Sequence, residues 1–297
     1  MNNKTLRVIM FGGLGDVLLT SPVFKAIKEK DPKKKIIVFC VNKKMQLILK
    51  NNPYINRITS VSFWENPISF IRYYRNKESF FNIFYGAMQP TLFCNKNVKE
   101  IIADLYNVTL ADKKVQIYLS DEENRNAQES IAAYRNPIVL HITSRTTSNQ
   151  EWPVHNWNEL VASMPEYTFL QVGLKDEKPI ENAVDLRGKT SIRETFGLIK
   201  YARSFAGVNS IYSHATNAFD IPGVVVWGPA QPVIWGHENN INIYKAVRCS
   251  PCLDLILGHP CPYDKFCMTR ISVDEVRTAL LNQLKHASTP TLYFNKS

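Results

Sequence analysis

Short apolar runs alternate with segments of helical periodicity along the first part of the chain, up to about residue 118. Apolar runs bounded by turn residues indicate buried strands, and apolar positions three and four apart indicate amphipathic helices. The predicted elements are strands over 7–11, 36–41 and 57–63, with helices from about 16 to 30 and around 43–50. Regular alternation of this kind is typical of a parallel sheet with helices on both faces.

A second alternating series begins at Pro137 and has apolar runs over 137–141, 169–173, 204–208 and 224–228. Before it, Ser120 is followed by three acidic residues, a pattern that predicts a capped helix over 120–135 leading out of the first domain. The sequence therefore predicts an α/β protein with two doubly wound, Rossmann-like domains and a cleft between them. The predicted domains are residues 1–135 and 136–286, followed by a tail over 287–297.

The turn after the first strand is rich in glycine and delivers Asp16 into the start of a helix. Gly13 and Gly15 let the backbone approach a ligand without side-chain obstruction, and the helix start offers unpaired N–H groups. Asp16 is therefore a candidate general base, with a helix-capping aspartate as the ordinary alternative. The turn is not the dinucleotide fingerprint, because Leu18 stands at the place of its third glycine, and this disfavours an NAD-dependent oxidoreductase.

Composition adds a strong positive charge. The chain of 297 residues has a formal net charge of +10 and contains no apolar run long enough to span a bilayer. We therefore expect a cytoplasmic protein. The positive charge would attract anionic partners in general, including a nucleic acid, a phosphorylated substrate or an anionic membrane surface. Most of the lysines are nevertheless expected to lie on solvent-exposed surfaces without a specific partner.

The six cysteines divide into two groups. Cys40 and Cys94 lie far apart and are expected to be buried apolar residues. The others form a compact Cys249-x₂-Cys252-x₈-Cys261-x₅-Cys267 cluster, which predicts a tetrathiolate metal site, with free thiols or disulfides as alternatives. Zinc is the default ion and iron is the other candidate. Its role would be structural, because four thiolates leave no coordination position open.

An aromatic stretch runs from Phe63 to Phe81. Phe70, Tyr73 and Tyr74 have helical spacing, which favours core packing over an acceptor platform that would stack sugars. After the strand at 224–228, Trp235 would either shield a nucleotide or pack under the cysteine cluster.

Motifs along nearly the whole chain resemble those of glycosyltransferase family 9, the ADP-heptose:lipopolysaccharide heptosyltransferases. The segments that carry the resemblance are 12–22, Trp152-Pro153 with His155 and Trp157, 185–191, Gly207-Val208-Asn209-Ser210 with His214, 222–229, and the cysteine cluster. They occur in the order found in the family. The resemblance implies a GT-B fold, in which two Rossmann-like domains face each other across a cleft, with a Cys-rich loop in the second domain.

The resemblance also implies an inverting transfer that needs no catalytic metal, with Asp16 as the base that deprotonates the acceptor hydroxyl. It implies a nucleotide-diphosphate donor, ADP-heptose, and an acceptor that is a lipopolysaccharide core sugar at the inner membrane face or a protein hydroxyl. No nucleic-acid partner is implied. A non-catalytic nucleotide-sugar-binding protein of the same fold is the alternative. The predicted donor-binding residues are Gly13, Gly15, Thr143, Ser144, Arg145, Asn209, Ser210 and His214.

Two positions depart from the family pattern. Asn209 stands where the family usually has an aspartate, and Gln150 stands where it commonly has a phosphate-binding lysine. Arg145, in the loop after strand 137–141, is the expected substitute cation, because its guanidinium matches phosphate oxygens. The departures predict a donor that is bound differently or is not ADP-heptose.

Overall fold

The structure is a computed structural model that describes residues 5–10, 12–61, 68, 71, 81–82, 96–252 and 259–286. The chain divides into two compact units, Met1–Tyr118 and Leu119–Ser297. Several sequence predictions lie outside the described residues. They concern Phe11, Cys94, the tail over 287–297, and the aromatic stretch except positions 68, 71 and 81–82.

The first unit contains a parallel sheet in the order β3-β2-β1-β4. Its elements are β1 (Thr5–Met10), α1 (Leu14–Leu19), α2 (Ser21–Lys30), β2 (Lys35–Cys40), α3 (Lys43–Leu49), β3 (Arg57–Ser60), β4 (Phe81–Asn82) and α4 (Val98–Leu105). The carboxyl half of β1 is buried, which places the start of the following turn at the edge of the core. This arrangement confirms the predicted parallel α/β class.

The helix predicted from about 16 to 30 is two helices, and the single-helix prediction is wrong. α1 ends at Leu19 and α2 begins at Ser21, with Pro22 in its first turn. A proline has no N–H to bond to the carbonyl four residues earlier, and its ring crowds that carbonyl, so the α-helical ladder stops there. The Thr20 hydroxyl instead donates to the Asp16 carbonyl over 2.9 Å.

The second unit contains a six-stranded parallel sheet in the order β10-β9-β8-β5-β6-β7. Its strands are β5 (Pro137–His141), β6 (Thr168–Gln171), β7 (Val184–Asp185), β8 (Ser204–Val208), β9 (Gly223–Trp227) and β10 (Asn240–Tyr244). Its helices are α5 (Asp121–Ala132), α6 (Val154–Ala162), α7 (Ile192–Tyr201), α8 (Ile211–Ala218), α9 (Pro232–Trp235), α10 (Phe266–Thr269) and α11 (Val273–His286).

Helix α5 packs against α7 and belongs to the second unit, whereas the sequence placed it at the end of the first domain. Ser120 and Glu123 form the predicted capping box at its start. Glu123 also binds Arg193 of α7 through two hydrogen bonds, of 2.5 and 2.7 Å. The helices approach closely at Gly197, where an added Cβ would lie 2.6 Å from the Ala127 Cβ.

The core of the second unit lies on both faces of its sheet. Strands β5, β8 and β9 are buried along their whole length, as expected for the centre of a parallel sheet. Trp152 and Trp157 pack edge to face, with ring centroids 4.7 Å apart. The Trp152 Nε1–H donates to the Ile271 carbonyl over 3.0 Å, which joins the tryptophan to the segment before α11. In the described ranges, no helix is both long enough and apolar enough to cross a bilayer.

Candidate functional site

In the first unit, the turn from β1 to α1 holds Asp16 in the first turn of the helix. The Gly13 N–H donates to Asp16 Oδ2 over 2.8 Å, so the carboxylate caps its own helix as the ordinary alternative predicted. Gly12 has φ +98°, a conformation that residues with a side chain rarely adopt. Gly15 lies inside α1, one residue before the acid.

The Asp16 carboxyl is only partly exposed, and this changes its chemistry. Burial raises its pKa from 3.8 to about 6, although the Gly13 hydrogen bond lowers it in part. A carboxylate at a helix N-terminus ordinarily has a lowered pKa, because the helix dipole favours its charge. A carboxylate with a pKa near 6 is a better proton acceptor than an ordinary aspartate and is still ionised at neutral pH.

In the second unit, the neighbouring strands β5 and β8 end at one edge of the sheet, and most of the predicted donor-binding residues follow them. Thr143, Ser144 and Arg145 come directly after β5, whereas Asn209 and Ser210 come directly after β8. Ligands of parallel α/β sheets bind outside the carboxyl ends of the strands. The structure therefore brings these five predicted residues to the edge where a ligand is expected.

His141, the last residue of β5, joins the loops that follow the two neighbouring strands. Its Nδ1 lies 3.1 Å from Ser210 Oγ, and its Nε2 lies 3.7 Å from Glu177 Oε2. Both the imidazole and the Glu177 carboxylate are buried. The sequence analysis missed both residues. A histidine that ends an otherwise apolar buried strand was a usable signal for His141, whereas nothing in the pattern marked Glu177.

Burial opposes ionisation of the Glu177 carboxyl, yet its neighbours outweigh that effect and lower its pKa. These neighbours are the His141 ring, the Leu174 N–H, which donates to Oε1 over 3.0 Å, and the Thr143 side chain. Burial raises the pKa of the nearby Glu151 carboxyl, which accepts the Ser144 N–H over 3.2 Å. Two carboxylates of different acidity thus lie next to the loop after β5, where Glu151 contacts Ser144 and Glu177 contacts Thr143.

His214 lies in α8 and is buried. Its Nδ1 is 2.9 Å from Nε2 of His237, which follows α9. The two rings pack edge to face, with centroids 5.1 Å apart. This geometry favours the structural role for His214 over the phosphate-binding role, and His237 is a partner that the sequence did not indicate.

The two positions that depart from the family pattern both carry buried oxygens without a hydrogen-bond partner. Gln150 Oε1 and Asn209 Oδ1 have none in the described part of the chain, and the same is true of Glu177 Oε2. Gln150 Nε2 donates to Ser144 Oγ over 3.3 Å, so the side chain lies against the loop after β5. Arg145 is exposed, which leaves its guanidinium accessible to a ligand.

Within the segment that contains the four cysteines, His259 and Cys261 pack beside the loop after β5. The Asn149 side chain donates to the His259 carbonyl over 2.7 Å and accepts the Cys261 N–H over 3.1 Å. Burial raises the pKa of the Cys267 thiol to about 11, with smaller contributions from Cys261, Cys249 and Cys252. Among the described residues, no group of three or more His, Cys, Asp or Glu side chains is arranged to hold a metal ion.

The sequence model of glycosyltransferase family 9 (heptosyltransferase) matches residues 91–256, which is more than half of the chain. The chain is 28% identical over 131 residues to lipopolysaccharide heptosyltransferase 1 of Salmonella typhimurium, with 40% of each protein aligned. It is 26% identical over 123 residues to the protein of the same name from Escherichia coli K12, with 38% of that protein aligned. The chain therefore matches about two fifths of the length of these relatives.

Solved structures are similar over a larger share of the chain. A glycosyltransferase of family 9 from Veillonella parvula has a TM-score of 0.74 at 16% identity, covering 95% of this chain and 97% of that one. The ADP-heptose lipopolysaccharide heptosyltransferase II of E. coli has a TM-score of 0.70 at 14% identity, covering 95% and 99%. An iron-containing dodecameric glycosyltransferase from enterotoxigenic E. coli has a TM-score of 0.72 at 16% identity, covering 96% and 77%.

The family that the sequence model identifies is also the family of the solved structures with a similar fold. The predicted GT-B type is confirmed by the similarity to solved heptosyltransferases together with the two parallel sheets described above. The chain belongs to glycosyltransferase family 9, the heptosyltransferase family.

Proposed function

We propose that this chain is an inverting glycosyltransferase that transfers a heptose from ADP-heptose to a hydroxyl group of a lipopolysaccharide core. Membership of the heptosyltransferase family supports the reaction class. The names of the relatives support the acceptor class, and one solved neighbour is described in complex with ADP-D-β-D-heptose. The net charge of +10 supports peripheral contact with an anionic membrane surface, where a lipopolysaccharide precursor would be met.

The observation that carries the donor half of the proposal is the pair of buried oxygens after β5 and β8. Gln150 and Asn209 each have a buried side-chain oxygen without a hydrogen-bond partner in the described residues. An unpaired buried oxygen costs about 1–3 kcal/mol, and a bound molecule that brings hydroxyl or amino hydrogens removes that cost. The sugar hydroxyls, the ribose and the base of a nucleotide sugar supply such hydrogens.

The diphosphate would bind next to these oxygens. Helix α8 begins at Ile211, directly after Asn209 and Ser210, and its N-terminal N–H groups suit an anion. The exposed guanidinium of Arg145 can supply the positive charge that Gln150 does not. In this proposal, hydrogen bonds and the helix dipole stabilise the leaving diphosphate, which is how such a reaction proceeds without a catalytic metal.

Asp16 is the proposed general base. The acceptor hydroxyl oxygen forms a bond to the anomeric carbon while the bond from that carbon to the diphosphate oxygen breaks. The hydroxyl proton passes to the Asp16 carboxylate, and the electron pair of the broken bond leaves with ADP. Attack on the face opposite the leaving group inverts the configuration. A positioned base of this kind contributes about 10²- to 10⁴-fold to the rate.

We propose a structural zinc or iron ion at the four-cysteine cluster as a separate element. Its support is the spacing of the cysteines; because the described side chains are not gathered into a group of three or more ligands, the ion would have to draw them together on binding. The ion would order the segment that contacts Asn149, and no catalytic step passes through it. Metal analysis of anaerobically purified protein should give about one equivalent, and the Cys249→Ser/Cys252→Ser variant should give far less. Much less than one equivalent in the unmodified protein would contradict the proposal.

The function is tested by incubating the full chain with ADP-heptose and, in parallel, with UDP-, GDP- and CMP-sugars. The acceptors are lipopolysaccharide from a strain that lacks core heptose and a protein hydroxyl acceptor, and the readout is the mass of the product. We expect a heptose to be added to the lipopolysaccharide with ADP-heptose alone. Transfer from another nucleotide would replace the proposed donor, transfer to the protein would replace the acceptor, and binding without any transfer would support the non-catalytic alternative.

Arg145 is tested separately. The Arg145→Ala variant should bind the donor about tenfold more weakly, because one charge-assisted contact to phosphate is lost. The matched control is Arg135→Ala, an exposed arginine before the opposite end of β5. Equal donor affinity in the two variants would remove Arg145 from the donor site.

A further inference from the structure

Three residues from three adjacent strand ends form a line: Glu177 after β6, His141 at the end of β5 and Ser210 after β8. Glu177 Oε2 lies 3.7 Å from His141 Nε2, and His141 Nδ1 lies 3.1 Å from Ser210 Oγ. The first distance suits an ion pair and exceeds a direct hydrogen bond, whereas the second is a hydrogen bond. Ser210 is the N-cap residue of α8, at the place proposed for the diphosphate.

The surroundings hold the imidazole in place. The Tyr212 ring packs edge-on against it, with centroids 4.7 Å apart and an interplanar angle of 83°. Tyr212 in turn contacts the Thr195 side chain of α7. The Glu177 carboxylate lies against Gly173, where an added Cβ would be 2.2 Å from Oε2. The His141 ring is thus in contact with Tyr212, Glu177 and Ser210, and its protonation decides which hydrogen bonds it makes with them.

The hydrogen-bond pattern depends on the protonation of His141. In a neutral ring with the proton on Nε2, Nδ1 accepts the Ser210 hydroxyl proton, and the serine oxygen turns its lone pairs outward. In a neutral ring with the proton on Nδ1, the Nε2 lone pair faces the Glu177 carboxylate. In the imidazolium form both nitrogens carry protons, Nδ1–H donates to Ser210 Oγ, and the serine hydroxyl is free to donate outward.

An anion at the start of α8 favours the third pattern. The neutral ring with the proton on Nδ1 also leaves the Ser210 hydroxyl free to donate, but it turns the Nε2 lone pair toward the Glu177 carboxylate. The imidazolium instead directs an N–H at that carboxylate and places a positive charge behind Ser210. We propose that His141, paired with Glu177, takes up a proton when a nucleoside diphosphate binds and thereby turns the Ser210 hydroxyl toward the diphosphate. His141 is a positioning residue in this scheme, since it acts through Ser210. The inference rests on the proposed donor site.

Other groups near His141 compete for the same proton. Glu151 is the main one, because it is coupled electrostatically to Glu177 and burial raises its pKa. Lys265 and Lys178 lower the pKa of the same carboxyl. Burial raises the pKa of the Tyr212 hydroxyl, which therefore stays neutral. A test must separate His141 from Glu151.

The experiment is titration calorimetry of ADP binding to the full chain near neutral pH, in two buffers of different ionisation enthalpy. The difference between the observed heats gives the number of protons taken up on binding. We expect net proton uptake in the unmodified protein. His141→Gln should bind ADP about tenfold more weakly and show no uptake. Ser210→Ala leaves His141 and Glu177 in place and should also lose the uptake.

Two variants serve as controls. Glu151→Gln should keep the proton uptake, because the proposed acceptor of the proton is His141, and a loss of uptake in this variant would contradict the inference. His155→Gln changes an exposed histidine of α6 and should behave as the unmodified protein. Proton uptake that persists in His141→Gln, or ADP binding without uptake in the unmodified protein, would overturn the inference and leave the proposed function intact. If none of ADP, UDP, GDP and CDP binds, the proposed donor site is what fails.

A spectroscopic measurement covers the case in which His141→Gln does not fold. Long-range ¹H–¹⁵N spectra of ¹⁵N-histidine-labelled protein report the protonation of each ring nitrogen. On addition of ADP, the His141 signals should change to those of a ring with protons on both nitrogens. Signals of a neutral ring in the ADP complex would contradict the proposal, and a merely structural histidine would show no change.

Discussion

The two units each place a polar side chain where a strand turns into a helix, yet the two turns differ in how that side chain is used. After β1, Asp16 folds back to accept the N–H of its own N-cap residue, Gly13. After β8, Ser213 occupies the same place in its helix and its Oγ accepts the N–H of the N-cap residue Ser210 over 3.0 Å, whereas the Ser210 side chain contacts His141. One turn is thus closed by a carboxylate, and the other by a neutral hydroxyl.

The difference shows that the same kind of strand-to-helix turn can hold a proton acceptor in one place and an anion-binding site in another. In the first turn, burial raises the pKa of the acid and makes it a stronger base. In the second turn, the group that accepts the N-cap N–H is the neutral Ser213 hydroxyl, and the Ser210 side chain lies next to His141, which in turn approaches Glu177. The first arrangement suits acceptance of a proton, and the second suits binding of an anion.

The largest expected effect comes from removing the proton acceptor of the first turn. Asp16→Asn keeps the shape of the side chain and its hydrogen bond to Gly13 but cannot take up a proton. We expect the rate of transfer to fall about 10²- to 10⁴-fold with little change in donor affinity. The measurement is single-turnover transfer with donor in excess. Asp31→Asn, which changes the carboxylate directly after α2, is the control and should retain full activity.

The next effect concerns the scaffold behind the second turn. The Glu123–Arg193 pair joins α5 to α7, and its arginine is 5% exposed. Glu123→Gln leaves a buried guanidinium without its carboxylate, so we expect the free energy of unfolding of this unit to fall by about 3 kcal/mol. In the first unit, Glu100→Gln removes an exposed pair with Lys113 and should cost at most about 1 kcal/mol. Equal losses in chemical denaturation would contradict this contrast.

The raised pKa of Asp16 also predicts how stability depends on pH. The folded protein holds this proton more tightly than the unfolded chain does, so stability falls as the pH rises from about 3.8 to about 6. Above that range, the folded state carries an ionised carboxyl in a buried position. Asp16→Asn should therefore be more stable than the unmodified protein at neutral pH, and the difference should disappear in acid. Thermal unfolding of both proteins across this range measures the effect.

The smallest effects come from the glycines of the first turn. Gly12→Ala places a side chain at φ +98° and should lower the free energy of unfolding by about 1–2 kcal/mol. Gly13 has an ordinary φ of −78°, but an added Cβ would lie 3.2 Å from Asp16 Oδ2. Gly13→Ala should therefore leave stability nearly unchanged and slow transfer only severalfold, because the carboxylate moves by a fraction of an ångström. A loss of stability in Gly13→Ala equal to that in Gly12→Ala would contradict this distinction.

The fold was largely predictable from the sequence. Strands β5 and β8 have the predicted bounds, because a fully buried parallel strand is a continuous apolar run with polar residues at both ends. The split between α1 and α2 was missed, although Pro22 was visible, because apolar periodicity continues across it. The placement of α5 was missed because its partner, Arg193, lies far along the chain and no local pattern reports the pairing.

The candidate site was predictable only where one motif contains the interacting residues. The Gly13–Asp16 pair lies within a single turn, so spacing alone indicated it. Glu177, His141 and Ser210 come from the ends of three different strands, and the order of strands in the sheet decides which strand ends meet. A sequence pattern cannot show the pairing of His214 with His237 for the same reason.

The most direct test of the account is to follow the ionisation of Asp16 and the rate of transfer in the same pH series. Carbon-13 NMR of the Asp16 carboxyl, assigned with the Asp16→Asn variant, gives its pKa in the unmodified protein. The account predicts that the carboxyl titrates at about 6 and that kcat/KM falls below the same pH, about tenfold for each unit. A carboxyl that titrates near 3.8, or an unchanged pH profile in Asp16→Asn, would show that another group accepts the proton.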